Sequence, residues 1–304
     1  MKYNIPEYVR LYETGELDAR VQLLYESLKS CIICPHHCKV DRPGNERGFC
    51  RAGASMVIDG YGPHYGEEDV LVGTGGSGTI FFSYCTLQCV FCQNCEISHF
   101  GEGYEVSPSE LSSIMLSLQK KGCHNINFVS PSHYVPQIVE AIGLAAKNGL
   151  TLPLVYNTGG YDEVDTLKLL DGIMGIYMPD IKFGDNTKAK KYTKSTKYFD
   201  IVKASVKEMY HQVGNLNTDD RRIAYKGLII RHLIMPDNLT DTDKVLEFIA
   251  EEISKDTFVN IMSQYYPAHK SFAFPELSRR ISKKEYYEAV EYAKKLRLVN
   301  LITS

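Results

Sequence analysis

The sequence lacks the features by which membrane, secreted and nucleic-acid-binding proteins are commonly recognised. No apolar run reaches the roughly 18 residues of a membrane-spanning helix, and Met1–Arg10 has no apolar segment of signal-peptide length. A net charge of -3 provides no basic surface for nucleic acid or an acidic membrane. We therefore expect a cytoplasmic protein without nucleic-acid or membrane partners. Its 304 residues suffice for one barrel-sized domain with an appendage.

Cysteine is the residue that stands out, with nine in the chain. Cysteines separated by two or three residues indicate metal sites rather than disulfides in a reducing cytosol. Cys123 stands alone, and we expect it to be a small buried hydrophobic residue. The other eight form two groups, Cys31, Cys34, Cys38 and Cys50, and then Cys85, Cys89, Cys92 and Cys95.

From about residue 79 onward, short β-rich runs alternate with amphipathic helices. Two capping boxes, Ser107 with Glu110 and Ser282 with Glu285, predict helix starts. The predicted strands are Thr79–Tyr84, Asn125–Val129, Leu152–Asn157, Ile173–Met178, Gly227–Leu233 and Phe258–Met262. The predicted helices are 108–121, Val135–Lys147, Asp162–Leu170, Tyr198–Val213, Thr242–Ser254 and Ser282–Leu296.

Six such strand–helix units with right-handed crossovers predict an α/β fold, a partial (β/α)6 barrel of parallel strands over residues 79–304. Residues 1–78 do not share this alternation and are predicted to be a Cys-rich N-terminal extension that starts with a helix, Tyr8–Lys29. In a barrel of this kind the functional side chains lie on loops at the C-terminal ends of the strands.

The central cysteines, Cys85, Cys89 and Cys92, directly follow the first predicted strand. Three thiolates with this spacing can each bind one corner of a cubane cluster, which leaves the fourth iron without a protein ligand. An open coordination position is what chemistry at a metal requires. If Cys95 were the fourth ligand, the site would be closed, as in an iron–sulfur electron carrier or a zinc-stabilised binding protein.

This three-cysteine loop, with Phe91 before its last cysteine, resembles the signature of the radical S-adenosylmethionine (SAM) superfamily. The resemblance implies that SAM binds the open iron of a 4Fe–4S cluster and is cleaved by an electron from it. The resulting 5′-deoxyadenosyl radical would abstract hydrogen from a protein or a small molecule. An electron donor such as flavodoxin or ferredoxin is also implied. The alternative is an electron carrier or zinc-stabilised protein without SAM chemistry.

Within that superfamily the chain most resembles the relatives of pyruvate formate-lyase activating enzyme, over roughly residues 30–270. The resemblance is carried by Cys92-Gln-Asn94, Asn157-Thr-Gly159 and Asp180-Ile-Lys182, and it implies glycyl-radical enzyme activation with a protein substrate. One departure is the run Ser130-Pro-Ser132-His-Tyr134, where activating enzymes have Gly-Gly-Glu. This departure weakens the assignment of an activase reaction and favours an activase-related branch of the superfamily.

Candidate contacts to SAM follow from the resemblance and from positions near strand ends. A carboxylate at Asp180 can accept from the ammonium or ribose hydroxyls, and Lys182 can donate to the carboxylate of SAM. An ordinary loop salt bridge is the alternative for this pair. His269 is expected near the adenosyl group of SAM. The alternative is an ordinary loop histidine whose hydrogen bonds are made within the protein. The full candidate set is Phe91, Asn94, Ser130, Ser132, Asn157, Asp180, Lys182, Arg231 and His269.

The N-terminal cysteines, Cys31, Cys34, Cys38 and Cys50, predict a second metal site on Gly- and Pro-rich chain. A structural zinc that stabilises the extension is one interpretation. An auxiliary 4Fe–4S cluster that relays electrons is the other. His36 and His37 leave the ligand set open.

Overall fold

The computed structural model describes residues 5–303, so the predictions for Met1–Arg10 and for the two domain termini extend beyond the described residues. The chain starts with two helices, α1 (Glu7–Glu13) and α2 (Glu16–Lys29). The single helix predicted over Tyr8–Lys29 is therefore divided. Gly15 lies between the two with a φ of 75°, in the left-handed region that interrupts a helix.

The strands form one mixed sheet in which most neighbours are parallel. They are β1 (Met56–His64), β2 (Ser77–Phe82), β3 (Tyr104–Val106), β4 (Ile126–Val129), β5 (Leu154–Thr158), β6 (Ile176–Pro179), β7 (Asn217–Thr218), β8 (Ala224–Leu233), β9 (Phe258–Met262) and β10 (Asn300–Thr303). Their order is β10-β9-β8-β6-β5-β4-β2-β1-β3, with β7 paired to β8. The α/β fold with a mostly parallel sheet is confirmed.

Two edges of the sheet differ from the six-unit prediction. At one edge β1 pairs antiparallel with both β2 and β3. At the other edge β10 pairs parallel with β9, which adds a seventh parallel strand. Strand β1 contains Gly60, Gly62 and Pro63, residues of low β propensity, and its sequence therefore carries no strand signal.

The remaining helices are α3 (Asp69–Val72), α4 (Pro108–Lys120), α5 (Val135–Lys147), α6 (Val164–Lys168), α7 (Asn186–Thr193), α8 (Tyr198–Val213), α9 (Thr242–Phe248) and α10 (Lys283–Lys295). Both predicted capping boxes are present, at Ser107 and Ser282. The helix predicted over Thr242–Ser254 is α-helical to Phe248 and continues as a π-helical turn, Ile249–Ile253. None of the described helices is both long and apolar enough to span a membrane.

Residues alternate along the strands between two apolar layers. Phe128 and Tyr156 belong to the main core together with residues of the flanking helices. Val155 and Ile176 belong to an inner cluster that also includes Leu71 of α3. The N-terminal helices join the main core, which contains Leu17 and Leu24. The division of the chain at residue 78 stays a prediction.

Candidate functional site

The central cysteine loop follows the C-terminal end of β2. The Leu87 backbone N–H donates to Cys85 Sγ at 3.4 Å, and Cys92 Sγ lies 3.5 Å from Ser98 Oγ. Burial raises the pKa of the Cys85 thiol to about 11 and also raises that of Cys89. Thiols whose pKa burial raises, such as those of Cys85 and Cys89, are difficult to ionise without a positive partner, which a metal centre would supply.

A chain of charged side chains lies at the C-terminal ends of the neighbouring strands. Lys182 Nζ is 2.7 Å from Asp180 Oδ2, and Arg231 Nε donates to Asp180 Oδ1 at 2.7 Å. Arg231 also donates to Asn157 Oδ1 at 2.7 Å and pairs with Glu67 at 3.2 Å. The structure therefore brings together four of the predicted SAM contacts and adds Glu67, a residue that no sequence signal indicated.

Neighbouring charges outweigh burial in setting the pKa values of Asp180 and Lys182. Burial would raise the pKa of Asp180, but Arg231 and Lys182 outweigh it and hold that pKa at about 2. Burial would lower the pKa of Lys182, but Asp180 and the Cys89 thiol raise it above its ordinary value. Asp180 and Lys182 are therefore both charged at neutral pH, next to the cysteine loop.

Gly159 connects the charged chain to the cysteine loop by close packing. A Cβ built on Gly159 would lie 2.7 Å from Leu87 Cδ1 and 3.7 Å from Lys182 Cε. A contact of 2.7 Å is shorter than real Cβ atoms make, so a side chain here would require the Leu87 side chain to move. The Asn157-Thr-Gly159 run thus contributes a close approach as well as the Asn157 amide.

Three of these residues lie inside strands, as the predicted bounds Leu152–Asn157 and Gly227–Leu233 place them. Asn157 lies within β5, and Arg231 and His232 lie within β8. His232 is buried between the Ile181 carbonyl, 2.6 Å from its Nδ1, and Thr242 Oγ1, 3.0 Å from its Nε2. It therefore supports the fold while Arg231 contacts the charged chain, because successive residues of a strand point to opposite faces.

The remaining candidate contacts are divided between the site and the core. Ser130 has a φ of 58°, and its side chain forms a hydrogen bond with the Cys85 sulfur. Ser132 instead donates to the buried Asp162 carboxylate at 2.5 Å. Phe91 is buried, with its ring centroid 5.9 Å from that of Phe183.

Two candidates lie near the surface. Asn94 is exposed, and its backbone carbonyl accepts from Ser98 N at 2.9 Å. The His269 ring lies 4.7 Å from that of His99, centroid to centroid. Ser132, Phe91, Asn94 and His269 thus stay outside the charged chain of Asp180 and its partners.

The N-terminal cysteines occupy a compact loop held by backbone donors. Phe49 N donates to Cys38 Sγ at 3.2 Å. The backbone N–H of His36 donates to the Cys34 sulfur, and that of Ala52 donates to the Cys50 sulfur. Burial raises the pKa of Cys34 and of Cys50. N–H donors aimed at sulfur stabilise the thiolate form over the thiol.

A buried arginine lies beside this loop. Arg42 is 1% exposed and donates to the Gly53 carbonyl at 2.7 Å and to the His133 carbonyl at 2.6 Å. Within residues 5–303 it forms no ion pair with a carboxylate, and its charge lowers the pKa of Cys50 against the larger effect of burial. Buried charges are normally paired, so thiolates in this loop would offset the charge of Arg42.

The two cysteine loops contact each other. His36 Nε2 lies 2.8 Å from the Thr86 carbonyl, and Gln88 Nε2 donates to the Phe49 carbonyl at 3.1 Å. The His36 ring stacks on Phe49 with centroids 3.7 Å apart. Thr86 and Gln88 lie between the first two central cysteines, so the N-terminal loop supports the central one directly.

Across residues 5–303, no three His, Cys, Asp or Glu side chains converge closely enough to bind a single metal ion. A cubane does not need such convergence, because each thiolate binds a different iron atom.

A model of the Radical SAM superfamily matches residues 79–218 of the chain. The chain therefore contains a radical SAM superfamily domain. The matched range begins within β2 and includes the central cysteine loop and the Asp180–Lys182 pair. It ends before β8, so Arg231 lies outside it. The superfamily implies a 4Fe–4S cluster and SAM, and the buried thiols beside Lys182 are a donor set of the kind such a cluster takes.

The radical SAM chain is 34% identical over 306 residues to the uncharacterized protein MJ0674 of Methanocaldococcus jannaschii. That alignment covers 97% of this chain and 82% of the relative.

Solved structures match the chain at lower identity. A structure of HydG, a maturase of the [FeFe]-hydrogenase, matches with a TM-score of 0.50 and 14% identity over 72% of this chain and 49% of that one. TYW1 with a lysine–pyruvate adduct bound matches with a TM-score of 0.47 and 14% identity over 76% of this chain and 75% of that one. At this identity the likeness to HydG concerns the fold alone.

Proposed function

We propose that this chain cleaves SAM reductively at a 4Fe–4S cluster held by Cys85, Cys89 and Cys92. Cys85, Cys89 and Cys92 would hold the cluster, which would supply the electron for cleaving the sulfonium of SAM to methionine and a 5′-deoxyadenosyl group able to take a hydrogen atom from the substrate. The observation that carries this proposal is the position of the three thiols, in one partly buried loop at the C-terminal end of β2 and beside Lys182.

The charged chain provides the groups that a zwitterionic ligand requires. Asp180 stays ionised and can accept from the ammonium or ribose hydroxyls of SAM, while Lys182 can donate to its carboxylate. Arg231 holds Asp180 in place through a charged hydrogen bond of 2.7 Å and is itself oriented by Asn157. These residues bind and orient, and the chemistry itself belongs to the cluster.

Glycyl-radical activation remains a prediction within this proposal. The Asp180-Ile-Lys182 run favours it, whereas the Ser130–Tyr134 run departs from the activase pattern. An external one-electron donor such as flavodoxin or ferredoxin would reduce the cluster in either case.

The test is to reconstitute the full chain anaerobically with iron and sulfide, add SAM and dithionite, and quantify 5′-deoxyadenosine by chromatography. We expect its formation, together with a change in the electron paramagnetic resonance spectrum of the reduced cluster when SAM is added. A spectrum unaffected by SAM and no 5′-deoxyadenosine would favour the electron carrier or the zinc-stabilised binding protein instead.

A second metal centre at Cys31, Cys34, Cys38 and Cys50 is also part of the proposal. It is supported by the N–H donors to sulfur and by the buried charge of Arg42. Zinc would draw the four thiols toward one point and act as a structural site. A cluster would lie against the central loop, through the contact of His36 with Thr86, and would suit an electron relay.

A further inference from the structure

The inner face of the sheet contains unpartnered polar atoms. Asn127 pairs in register with Val155, a member of the inner apolar cluster, and therefore points inward with it. It is 0% exposed, and neither its amide oxygen nor its amide nitrogen has a hydrogen-bond partner. Asn260 pairs in register with Arg231 and shares its face, and its Oδ1 is also unpartnered.

The segment between β1 and α3 brings two carboxylates to this face. Glu67 pairs with Arg231, and Glu68 Oε1 accepts from Asn260 Nδ2 at 2.8 Å. Leu71, three residues after Glu68, packs in the inner cluster and anchors the segment. Glu68 is 6% exposed, and its second oxygen, Oε2, has no partner.

These free atoms indicate the chemistry of a ligand. Glu68 Oε2 and Asn260 Oδ1 are acceptors, so what they lack is a donor. Glu67, Glu68 and Asp180 are three carboxylates on this face against two cations, Arg231 and Lys182. One carboxylate is in excess when the His64 ring, 3.8 Å from Glu67 Oε1, is counted as neutral. Buried acceptors without partners are unfavourable in the absence of a ligand or bound water.

We propose that the inner face binds the ammonium group of an amine-bearing substrate, with Glu68 and Asn260 as its acceptors. This inference deepens the proposed function, because it assigns a substrate class to the same barrel. An ammonium offers three donors and the positive charge that would balance the excess carboxylate. SAM binding is left to the Asp180–Lys182 pair, so the two ligands use different residues.

The test compares two probes that differ only in the polar group, n-pentylamine and 1-pentanol. Their binding to the reconstituted full chain is measured by calorimetry without SAM or reductant. We expect the amine to bind at least about tenfold more tightly than the alcohol, as a charge-assisted contact predicts. Equal affinities, or no binding of either probe because water satisfies these atoms, would overturn the inference.

A matched pair of variants assigns the effect to Glu68. Glu68→Gln keeps an acceptor for Asn260 but removes the charge, and it should abolish the preference for the amine. Glu105→Gln removes an exposed carboxylate on β3 and should preserve that preference. A preference that survives in Glu68→Gln would contradict the assignment. Because no step requires SAM cleavage, failure here is distinguishable from failure of the proposed function.

Discussion

The two cysteine loops are built from similar residues but have different surroundings. The N-terminal loop satisfies its thiols internally, with backbone N–H donors and the buried Arg42. The central loop lies beside Lys182 and a chain of charged side chains from three other strand ends. A site enclosed by its own loop suits a stable metal centre, whereas a site beside charged side chains from neighbouring strands suits ligand binding.

The largest expected effect separates the loops by activity. Cys85→Ala, Cys89→Ala or Cys92→Ala should each abolish 5′-deoxyadenosine formation, because each removes one iron ligand of the cluster. Cys95→Ala should retain most of it, since a three-thiolate cluster leaves this residue unused. Chromatography of the product is the measurement. Equal loss in all four variants would mean a closed four-cysteine site.

The second prediction separates the loops by metal content. A Cys85/Cys89/Cys92 triple-Ala variant should retain the metal of the N-terminal loop, because that loop supplies four thiols of its own. Elemental analysis after anaerobic reconstitution with both metals would distinguish zinc from iron. A variant that contains neither would show that the N-terminal cysteines are free thiols.

The third prediction concerns the charged side chains of Asp180 and Lys182, which lie beside the central loop. Asp180→Ala and Lys182→Ala should each weaken SAM binding by about 1–3 kcal/mol, roughly 5- to 150-fold in Kd, as expected for a charge-assisted hydrogen bond. Iron content should not change. Equilibrium dialysis with labelled SAM measures the effect. Unchanged affinity in both variants would identify the pair as a structural salt bridge.

The fourth prediction concerns acid stability at the junction of the two loops. Burial lowers the pKa of His133 to about 3, and its Nε2 lies 2.8 Å from the Ser83 carbonyl. Between pH 6.5 and about 3 the unfolded chain takes up a proton at this position and the folded chain does not. Stability should therefore fall as the pH decreases in this window, by at most about 1.4 kcal/mol per pH unit.

Urea unfolding at pH 7 and pH 5 would check this contribution. His133→Gln keeps a donor for the Ser83 carbonyl and removes the titration, so its stability should depend less on pH than that of the unchanged chain. His36, which is only half-buried in the N-terminal loop, provides the comparison as His36→Gln. A larger effect from His36 than from His133 would reverse the expected order.

Some elements were predictable from the sequence to the residue, whereas β6 and β8 begin three residues away from their predicted starts. Helices α5 and α8 and strand β9 have the predicted bounds, and both capping boxes formed. The edge strands β1 and β10 were not predicted. One carries glycine and proline, and the other is a four-residue segment at the end of the chain. Their strand structure depends on neighbours in the sheet rather than on their own propensity.

By itself the sequence determined the parts that depend on spacing along the chain: the three-cysteine loop after a strand, the alternation of strands and helices, and the helix starts. These features involve residues a few positions apart, and hydrophobic periodicity and capping act over that range. Only the tertiary structure decided that Glu67 pairs with Arg231, 164 residues away, and that Arg42 donates to the His133 carbonyl, 91 residues away. Such pairs form because the order of strands in the sheet brings distant residues to one face, and spacing along the chain carries no record of that order.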